Sequence, residues 1–128
     1  MPPTFPPFSH FALTVTDFER SVAWYEHLFE VTPILIEETT YRAAIWFEPV
    51  FAIHAHQHHD ENDAFDEHRV GLDHVAFNCS TRTELEEWSR KLDEMGIEHG
   101  YIVDAWYGSG LAFRDPDNIQ LEFFVLAT

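Results

Sequence analysis

A histidine begins two similar stretches of this sequence, which lie 64 residues apart (74 − 10 = 64). His10 is followed by Phe-Ala-Leu-Thr-Val and His74 by Val-Ala-Phe-Asn-Cys, and the register continues downstream, where Trp24 matches Trp88. A repeat of this length predicts two similar supersecondary units in one chain. It also places one imidazole at the same point of each unit, where the two rings could bind a single ion.

The first half has the pattern of a strand, a helix and three further strands. After the strand that begins at His10, residues 16–19 (Thr-Asp-Phe-Glu) have the spacing of a helix capping box, and apolar residues follow at helical spacing. The strand-like runs that come next are 32–37, 41–47 and 50–56. Residues 48–49 (Glu-Pro) are the expected turn between the last two runs, and the polar, His-rich segment 57–70 is expected to connect the halves.

The second half repeats this pattern. Residues 81–84 (Thr-Arg-Thr-Glu) again have capping-box spacing, and Gly96 stands where a left-handed residue usually ends a helix. The strand-like runs of this half are 97–103, 107–114 and 119–126. Residues 115–118 (Asp-Pro-Asp-Asn) predict a turn, because proline fixes φ and asparagine tolerates a positive φ.

Each half is therefore a βαβββ unit, and the predicted fold class is α+β. Two tandem units of this kind are expected to form a curved eight-stranded sheet with the helices on the outside. A chain of 128 residues is long enough for one domain with a real core. We expect a single domain over residues 1–128, with unit 1 at about 8–56, a linker at 57–70 and unit 2 at about 71–128.

The composition excludes several classes of partner. The chain has 23 acidic and 7 basic residues, so its formal net charge is −16, and Lys and Arg form no cluster that would bind nucleic acid or an anionic membrane. No apolar run is long enough for a transmembrane helix, and the N-terminus lacks the pattern of a signal peptide. The lone Cys79 cannot form an internal disulfide. We therefore expect a cytoplasmic protein with no nucleic-acid and no membrane partner.

Three segments of the chain resemble the vicinal oxygen chelate superfamily, which contains glyoxalase I, extradiol dioxygenases, fosfomycin-resistance thiol transferases and bleomycin-resistance proteins. The segments are 10–17 (with Ser21, Trp24 and Tyr25), 71–77 and 113–122, and together they span nearly the whole chain. The last of them, Phe-Arg-Asp-Pro-Asp-Asn-Ile-Gln-Leu-Glu, is the most specific. Family members usually carry glycine where Asn118 stands, and this departure keeps the same backbone preference.

The resemblance implies a metal site. In metal-binding members, the ion is held by a histidine at the start of a unit's first strand and by a glutamate in its last strand, which implies His10, His74 and Glu122 here. Two imidazoles and one carboxylate suit a divalent Fe, Mn, Ni, Co or Zn ion and leave positions open for substrate. Glu122 is also the one acid in a mainly apolar strand, and strand alternation does not account for it.

The fourth ligand position departs from the family pattern. Glyoxalase I type members place a second Glu, or a His or Gln, in the last strand of the first unit, and here that strand has Ala52, His54 and His56 on one face. His54 could be a fourth ligand or a general base beside the metal. Alternatively, Ala52 occupies the ligand position and leaves three protein ligands. In a third interpretation, the histidines between 54 and 59 simply belong to a polar strand end and loop.

The function that the resemblance implies is that of a metal-dependent enzyme acting on a small molecule. The ion would bind two vicinal oxygens of the substrate and stabilise the anion that forms, in a glyoxalase-type isomerase or lyase or in a ring-cleaving dioxygenase. Glu122 or His54 would move the proton. Glutathione is disfavoured as cosubstrate, because seven bases offer few partners for an anionic tripeptide. The alternative is a metal-free protein that sequesters a small molecule, as bleomycin-resistance members do.

Other expectations concern the substrate pocket and the assembly. Trp46 and Phe113 are candidates for the concave face, and Tyr107 is a candidate for a lip of the pocket or part of a plain loop. Trp24 and Trp88 are expected in the core. Family members of this length usually form homodimers, so the site would be built within one chain or across a swapped dimer.

Overall fold

The computed structural model describes residues 3–47, 50–57 and 59–127. These residues form two helices and eight strands, in the order β1 (Phe11–Thr14), α1 (Phe18–Phe29), β2 (Ile34–Glu37), β3 (Tyr41–Phe47), β4 (Val50–His56), β5 (Val75–Asn78), α2 (Arg82–Glu94), β6 (Val103–Ala105), β7 (Gly108–Arg114) and β8 (Gln120–Leu126). The chain divides into two compact units, Met1–Asn62 and Asp63–Thr128. The α+β class and the tandem βαβββ arrangement are therefore confirmed. The turn expected at 48–49 and the side chain of His58 lie outside the described residues.

Both units have the same internal topology. The strand order is β1-β4-β3-β2 in unit 1 and β5-β8-β7-β6 in unit 2. In each sheet the first strand of the unit pairs in parallel with the last one, and the other pairs are antiparallel. The two strands of a unit that are farthest apart in the sequence are thus hydrogen-bonded neighbours.

Each helix covers one face of the sheet of its own unit. In unit 1, the buried side of α1 includes Tyr25 and Leu28, and the Tyr25 ring lies 5.1 Å from that of Phe51 on β4. In unit 2, the Trp88 ring stacks on Phe123 of β8 with 4.2 Å between centroids. Because side chains alternate along a strand, the residues between these core positions lie on the opposite side, which we call the open face of each unit.

The two helix N-termini differ from each other. Helix α2 begins as expected, since Thr81 Oγ1 accepts a hydrogen bond from the Glu84 backbone N–H at 3.2 Å, while the Glu84 carboxylate accepts one from Ser80 at 2.8 Å. The box expected at residues 16–19 is wrong. The N-cap of α1 is Asp17, whose carboxylate accepts from the Arg20 N–H at 3.1 Å. Aspartate is as good an N-cap as threonine, so spacing alone does not identify the cap.

The second half of unit 2 differs from the expectation in one strand. The strand expected at 97–103 is wrong, because strand β6 begins only at Val103 and His99 makes a single isolated bridge to Phe113. The helix end and the turn are confirmed. Gly96 has a φ of 69°, and Asn118 at a φ of 67° ends a turn closed by its N–H on the Asp115 carbonyl at 3.0 Å.

Part of the expected linker is bonded to unit 2. The Phe65 N–H donates to the Asp117 carbonyl at 3.0 Å, and the Asn118 side chain donates to the Phe65 carbonyl at 3.1 Å. Arg114 donates two hydrogen bonds to the Glu67 carboxylate, at 2.6 and 3.0 Å. Residues 63–70 are thus attached to the turn that precedes β8. Over the described part of the chain, neither helix has the length and apolar character needed to cross a bilayer.

Candidate functional site

Two of the expected ligands face each other on the open face of unit 2. His74 immediately precedes β5, and Glu122 lies on the neighbouring strand β8, where it is registered with Ala76. The Nε2 atom of His74 is 3.8 Å from Oε1 of Glu122. Leu121 and Phe123, on either side of Glu122, are fully buried towards the helix. Strand alternation therefore directs the Glu122 carboxylate to the open face, next to the imidazole.

The other nitrogen of His74 is held by the preceding residue. Nδ1 of His74 lies 2.7 Å from Oδ1 of Asp73. A carboxylate can only accept, so the hydrogen of this bond is on Nδ1. In the neutral ring with this tautomer, Nε2 carries the lone pair on the side that faces Glu122. Asp73 had no role in the site predicted from the sequence, although an acid directly before a strand-opening histidine is a usable signal for an orienting partner.

A glycine makes room for the carboxylate. A Cβ atom at Gly110 of β7 would lie 2.7 Å from Oε2 of Glu122 and 3.2 Å from Cδ2 of Phe124. Any other residue at this position would have to displace the Glu122 side chain. A glycine inside a strand is a known sign of close approach. The strand predicted over residues 107–114 is confirmed as β7, and the glycines at 108 and 110 are both buried within it.

The setting of Glu122 affects its proton affinity. Its side chain is only 24% exposed. Burial raises the pKa of the Glu122 carboxyl above the ordinary value of 4.5, and the nearby His74 acts in the opposite direction. A half-buried carboxylate beside an imidazole and among apolar neighbours is an arrangement that favours a bound cation or a proton.

In unit 1 the corresponding positions carry different side chains. His10 is exposed, and its Nδ1 atom lies 2.9 Å from Oγ of Ser9. Ala12 of β1 is registered with Ala52 of β4, as Ala76 is registered with Glu122 in unit 2. Since Ala12 and Ala76 are equivalent in the repeat, Ala52 is the positional counterpart of Glu122.

His54 lies two residues beyond that position on the same face. Its ring stacks on Tyr41 with 5.3 Å between centroids, and the His56 ring lies 5.8 Å away. Burial lowers the pKa of His54 below the usual 6.5, and His56 and His10 act in the same direction. His54 is thus a half-buried imidazole on the open face of unit 1, and His56 is exposed.

Two residues expected in the pocket belong instead to the cores beneath the helices. Trp46 is 4% exposed, donates its indole N–H to the Val31 carbonyl at 2.7 Å and contacts the Phe51 ring. Phe113 is 3% exposed and stacks on Phe123 at 5.0 Å. The expectation that Trp46 and Phe113 line the concave face is therefore wrong. Both strands are apolar on their two faces, so alternation could not show which side faces the helix.

Tyr107 lies beside the open face of unit 2. Its ring stacks on that of Phe124 at 6.0 Å, and Phe124 is two residues from Glu122 on β8. Tyr107 is about half exposed and immediately precedes β7. The tryptophans of the two helices, Trp24 and Trp88, are half-buried rather than fully in the core.

Two further features carry no site. Cys79 is buried, and burial raises the pKa of its thiol to about 11, so it is a small apolar residue rather than a nucleophile. Asp66, Glu67 and His68 have ligand atoms within 4.8 Å of one another. The Glu67 carboxylate is already bound to Arg114, and Asp66 is bound to His68 at 2.9 Å. Internal pairing explains this exposed cluster.

The comparison with known proteins agrees with this fold. The chain is 29% identical to a glyoxylase/bleomycin resistance protein/dioxygenase domain from Frankia sp. EAN1pec, over 97% of this chain and 100% of that one, with a TM-score of 0.87. Two less similar proteins share the fold. One is fosfomycin resistance protein FosX from Listeria monocytogenes, with 17% identity over 97% of this chain and 94% of that one and a TM-score of 0.73. The other is lactoylglutathione lyase from Agrobacterium tumefaciens, with 18% identity over 97% of this chain and 95% of that one and a TM-score of 0.68. No curated protein matches the chain. The family profile of the Glyoxalase/Bleomycin resistance protein/Dioxygenase superfamily matches residues 8–123, and the chain belongs to this superfamily.

Proposed function

We propose that the protein is a metal-dependent enzyme that binds a small substrate through two vicinal oxygens at a divalent ion held by His10, His74 and Glu122. The observation that carries this proposal is the pair on the open face of unit 2, where Nε2 of His74 and Oε1 of Glu122 are 3.8 Å apart. The proposed metals are divalent Fe, Mn, Ni, Co and Zn, which all accept imidazole and carboxylate ligands.

The donors of unit 2 fit such an ion. Ligand atoms about 2.1 Å from one tetrahedral ion lie roughly 3.4 Å apart, so the observed pair needs to close by only a few tenths of an ångström. The hydrogen on Nδ1 of His74 leaves the Nε2 lone pair for the ion. A lone pair and a carboxylate oxygen that face each other repel unless a positive charge lies between them.

His10 is proposed as the third ligand because it matches His74 in the repeat and is also held through Nδ1. The register supports three protein ligands rather than four, since alanine occupies the counterpart of Glu122 in unit 1. On this proposal His54 is not a ligand. Instead, His54 contacts the substrate or exchanges a proton with it from the open face of unit 1.

When bound, the ion supplies Lewis acidity towards two oxygens of the substrate. The chain supplies proton carriers and a binding surface. We propose that Glu122 and His54 move the proton, and that Tyr107 and Phe124 offer ring surface next to the carboxylate.

The ion pairs of the chain argue against an anionic cosubstrate. Arg42 is bound to Glu19 and Glu37, Arg82 to Glu86 and Asp104, and Arg114 to Glu67. Three of the seven basic side chains are thus neutralised by acids of their own unit. With a net charge of −16, the protein repels glutathione at long range as well. A neutral or weakly charged substrate fits this surface better.

Metal binding is the first test. The stripped protein is titrated with Fe, Mn, Ni, Co and Zn under anaerobic conditions, and the bound metal is measured by elemental analysis. We expect about one ion per site in the wild type, and its loss in His74→Ala and Glu122→Ala. His56→Ala is the matched control and retains the ion. A wild type that retains none of the five metals contradicts the proposal and favours metal-free sequestration of a small molecule.

The loaded protein is then assayed with methylglyoxal hemithioacetal and with catechols, which separates isomerase or lyase chemistry from ring cleavage. Light scattering tests the homodimer that we propose. Mixing His74→Ala with His10→Ala tests a swapped site, because a shared site regains metal in mixed dimers. Fractionation of the native cells tests the cytoplasmic location.

A further inference from the structure

We propose that Asp73 is a positioning residue that fixes His74, and that Gln120, Arg114 and Glu67 hold Asp73 in turn. The part of this inference that concerns metal affinity rests on the proposed function. The part that concerns the imidazole itself is a property of the protein without metal. All the residues involved belong to unit 2.

The first link is the bond between Asp73 and His74. It measures 2.7 Å from Oδ1 to Nδ1. Because the carboxylate can only accept, it selects the neutral tautomer with hydrogen on Nδ1, and it also restricts rotation of the ring. With both tautomer and rotation fixed, Nε2 faces Glu122 before any ligand arrives. The bond thus prepares one ligand atom in advance.

Further links connect Asp73 to the turn before β8. The Gln120 side-chain amide donates to Oδ1 of Asp73 at 3.1 Å and approaches the Asp73 carbonyl at 3.4 Å. The Gln120 carbonyl oxygen accepts from Nη2 of Arg114 at 3.3 Å. Since an amide donates through nitrogen and accepts through oxygen, Arg114 determines which way Gln120 points.

Glu67 completes the chain of hydrogen bonds. It accepts both hydrogen bonds of the Arg114 fork, at 2.6 and 3.0 Å. Such bidentate pairs have a fixed geometry, so they orient the guanidinium rather than merely neutralise it. The segment 63–70 is therefore connected to His74 through three side chains. This chain of contacts gives Glu67 and Arg114 a role beyond the stability of the turn.

Unit 1 shows how the residue before the strand-opening histidine acts when it is not a carboxylate. Its equivalent of Asp73 is Ser9, whose hydroxyl lies 2.9 Å from Nδ1 of His10. A hydroxyl can donate or accept, so it holds the ring without selecting a tautomer. Asp73→Ser converts the unit 2 position into that of unit 1, and Asp73→Asn keeps the shape while removing the obligate acceptor.

The first experiment needs no metal. Long-range nitrogen–proton correlation spectra of the metal-free protein at about pH 8.5, where an ordinary imidazole is neutral, give the tautomer of His74, assigned by the loss of its signals in His74→Gln. We expect hydrogen on Nδ1 in the wild type and in Asp73→Glu, and a mixture in Asp73→Asn and Asp73→Ser. A wild-type ring with hydrogen on Nε2, or variants that keep the wild-type tautomer, overturn the inference.

The second experiment measures metal affinity by calorimetry with Zn alone. We expect affinity to fall ten- to a hundredfold in Asp73→Asn, since orienting partners have effects of about this size. Gln120→Ala loses about fivefold, as expected for one hydrogen bond. The matched control is Asp93→Asn, which changes an aspartate bonded to His99 at 2.6 Å in the same unit and leaves Zn affinity unchanged.

The two experiments fail separately. If the wild type shows the expected tautomer but binds no metal, the proposed function is contradicted while the positioning role stands. If it binds metal and Asp73→Asn binds as tightly as Asp93→Asn does, the positioning role is contradicted while the function stands. Circular dichroism of each variant shows that a lost signal does not reflect unfolding.

Discussion

The two units of this protein have the same backbone plan and different chemistry. In each, a strand-opening histidine lies beside the last strand of its own unit, and the residue before the histidine bonds its Nδ1 atom. Unit 2 adds a carboxylate before the histidine and a second one across from it, whereas unit 1 has Ser9 and Ala52 there. The comparison teaches that the fold supplies equivalent positions, and that function depends on which copy fills them with acids.

The largest expected effect comes from removing this asymmetry. Ala52→Glu places in unit 1 the carboxylate that unit 2 has, but Ala52 is only 5% exposed, and its partner on β3 is the bulky Ile45, whereas the partner of Glu122 on β7 is Ala112. We expect the free energy of unfolding to fall by about 3 kcal/mol, measured by urea denaturation, because a charge is buried without a partner. Ala12→Glu, on an exposed position of the same face, costs less than about 1 kcal/mol. Equal losses would mean that burial is not what distinguishes the two positions.

The converse change fills the space that Gly110 leaves for the Glu122 carboxylate in unit 2. In Gly110→Ala the new Cβ would lie 2.7 Å from the Glu122 carboxylate, so we expect a loss of about 1–2 kcal/mol in stability and a weaker bound metal. Gly100→Ala is the control, since its Cβ would meet only the Ala112 carbonyl at 3.9 Å. Denaturation and Zn titration of both variants check the expectation. Unchanged affinity in Gly110→Ala would show that the carboxylate does not need this space.

The helix starts differ between the units and can be compared by deleting each cap. Asp17→Ala and Thr81→Ala should each lower the free energy of unfolding by about 1 kcal/mol. Thr16→Ala, at the position that the spacing alone would select, should lower it by less than Asp17→Ala does, because Thr16 accepts from the exposed Arg20 guanidinium at 3.2 Å and does not cap the helix. Urea denaturation measures all three. A larger loss for Thr16→Ala than for Asp17→Ala would reverse the assignment of the cap.

The smallest effect concerns the pH dependence of the Glu67–Arg114 pair in unit 2. Arg114 lowers the pKa of Glu67 from 4.5 to about 2. A group whose pKa is lower in the folded state stabilises the fold above the unfolded value, and this contribution is lost as the pH falls from about 4.5 to about 2. We expect the stability of the wild type, relative to Glu67→Gln, to decline across this window. Subtracting the free energy of unfolding of Glu67→Gln from that of the wild type at each pH cancels the effect of protonating the other acids. If the two curves of stability against pH are parallel, the Glu67–Arg114 pair makes no such contribution.

The sequence predicted the repeat, the order of helices and strands in each unit and the Asp115–Asn118 turn, because these depend on local signals. The sequence-based predictions were wrong where the same residue pattern is compatible with two different structures. Asp17 and Thr16 are both good caps, and Trp46 and Phe113 lie on strands that are apolar on both faces, so no alternation marks the core side. The strand expected from residue 97 has suitable residues but pairs only through His99 before Val103.

The candidate site was predictable only in part. His74 and Glu122 stand out in the sequence because they break the apolar pattern of their strands. The role of Gly110 depends on a contact with the side chain of Glu122, twelve residues away in the sequence, and the chain from Asp73 to Glu67 depends on side-chain directions. Such contacts are set by tertiary packing, and no local pattern encodes them.

The parallel pairing of the first and last strands of each unit also has a consequence for the order of folding. His74 and Glu122 are 48 residues apart (122 − 74 = 48), and they become neighbours only when β8 joins β5. This contact closes a long loop, which is a slow and entropically costly step. The proposed ligand pair therefore forms only once β8 has paired with β5. Before that pairing the chain has both side chains but not the site, so metal uptake would follow the pairing in time.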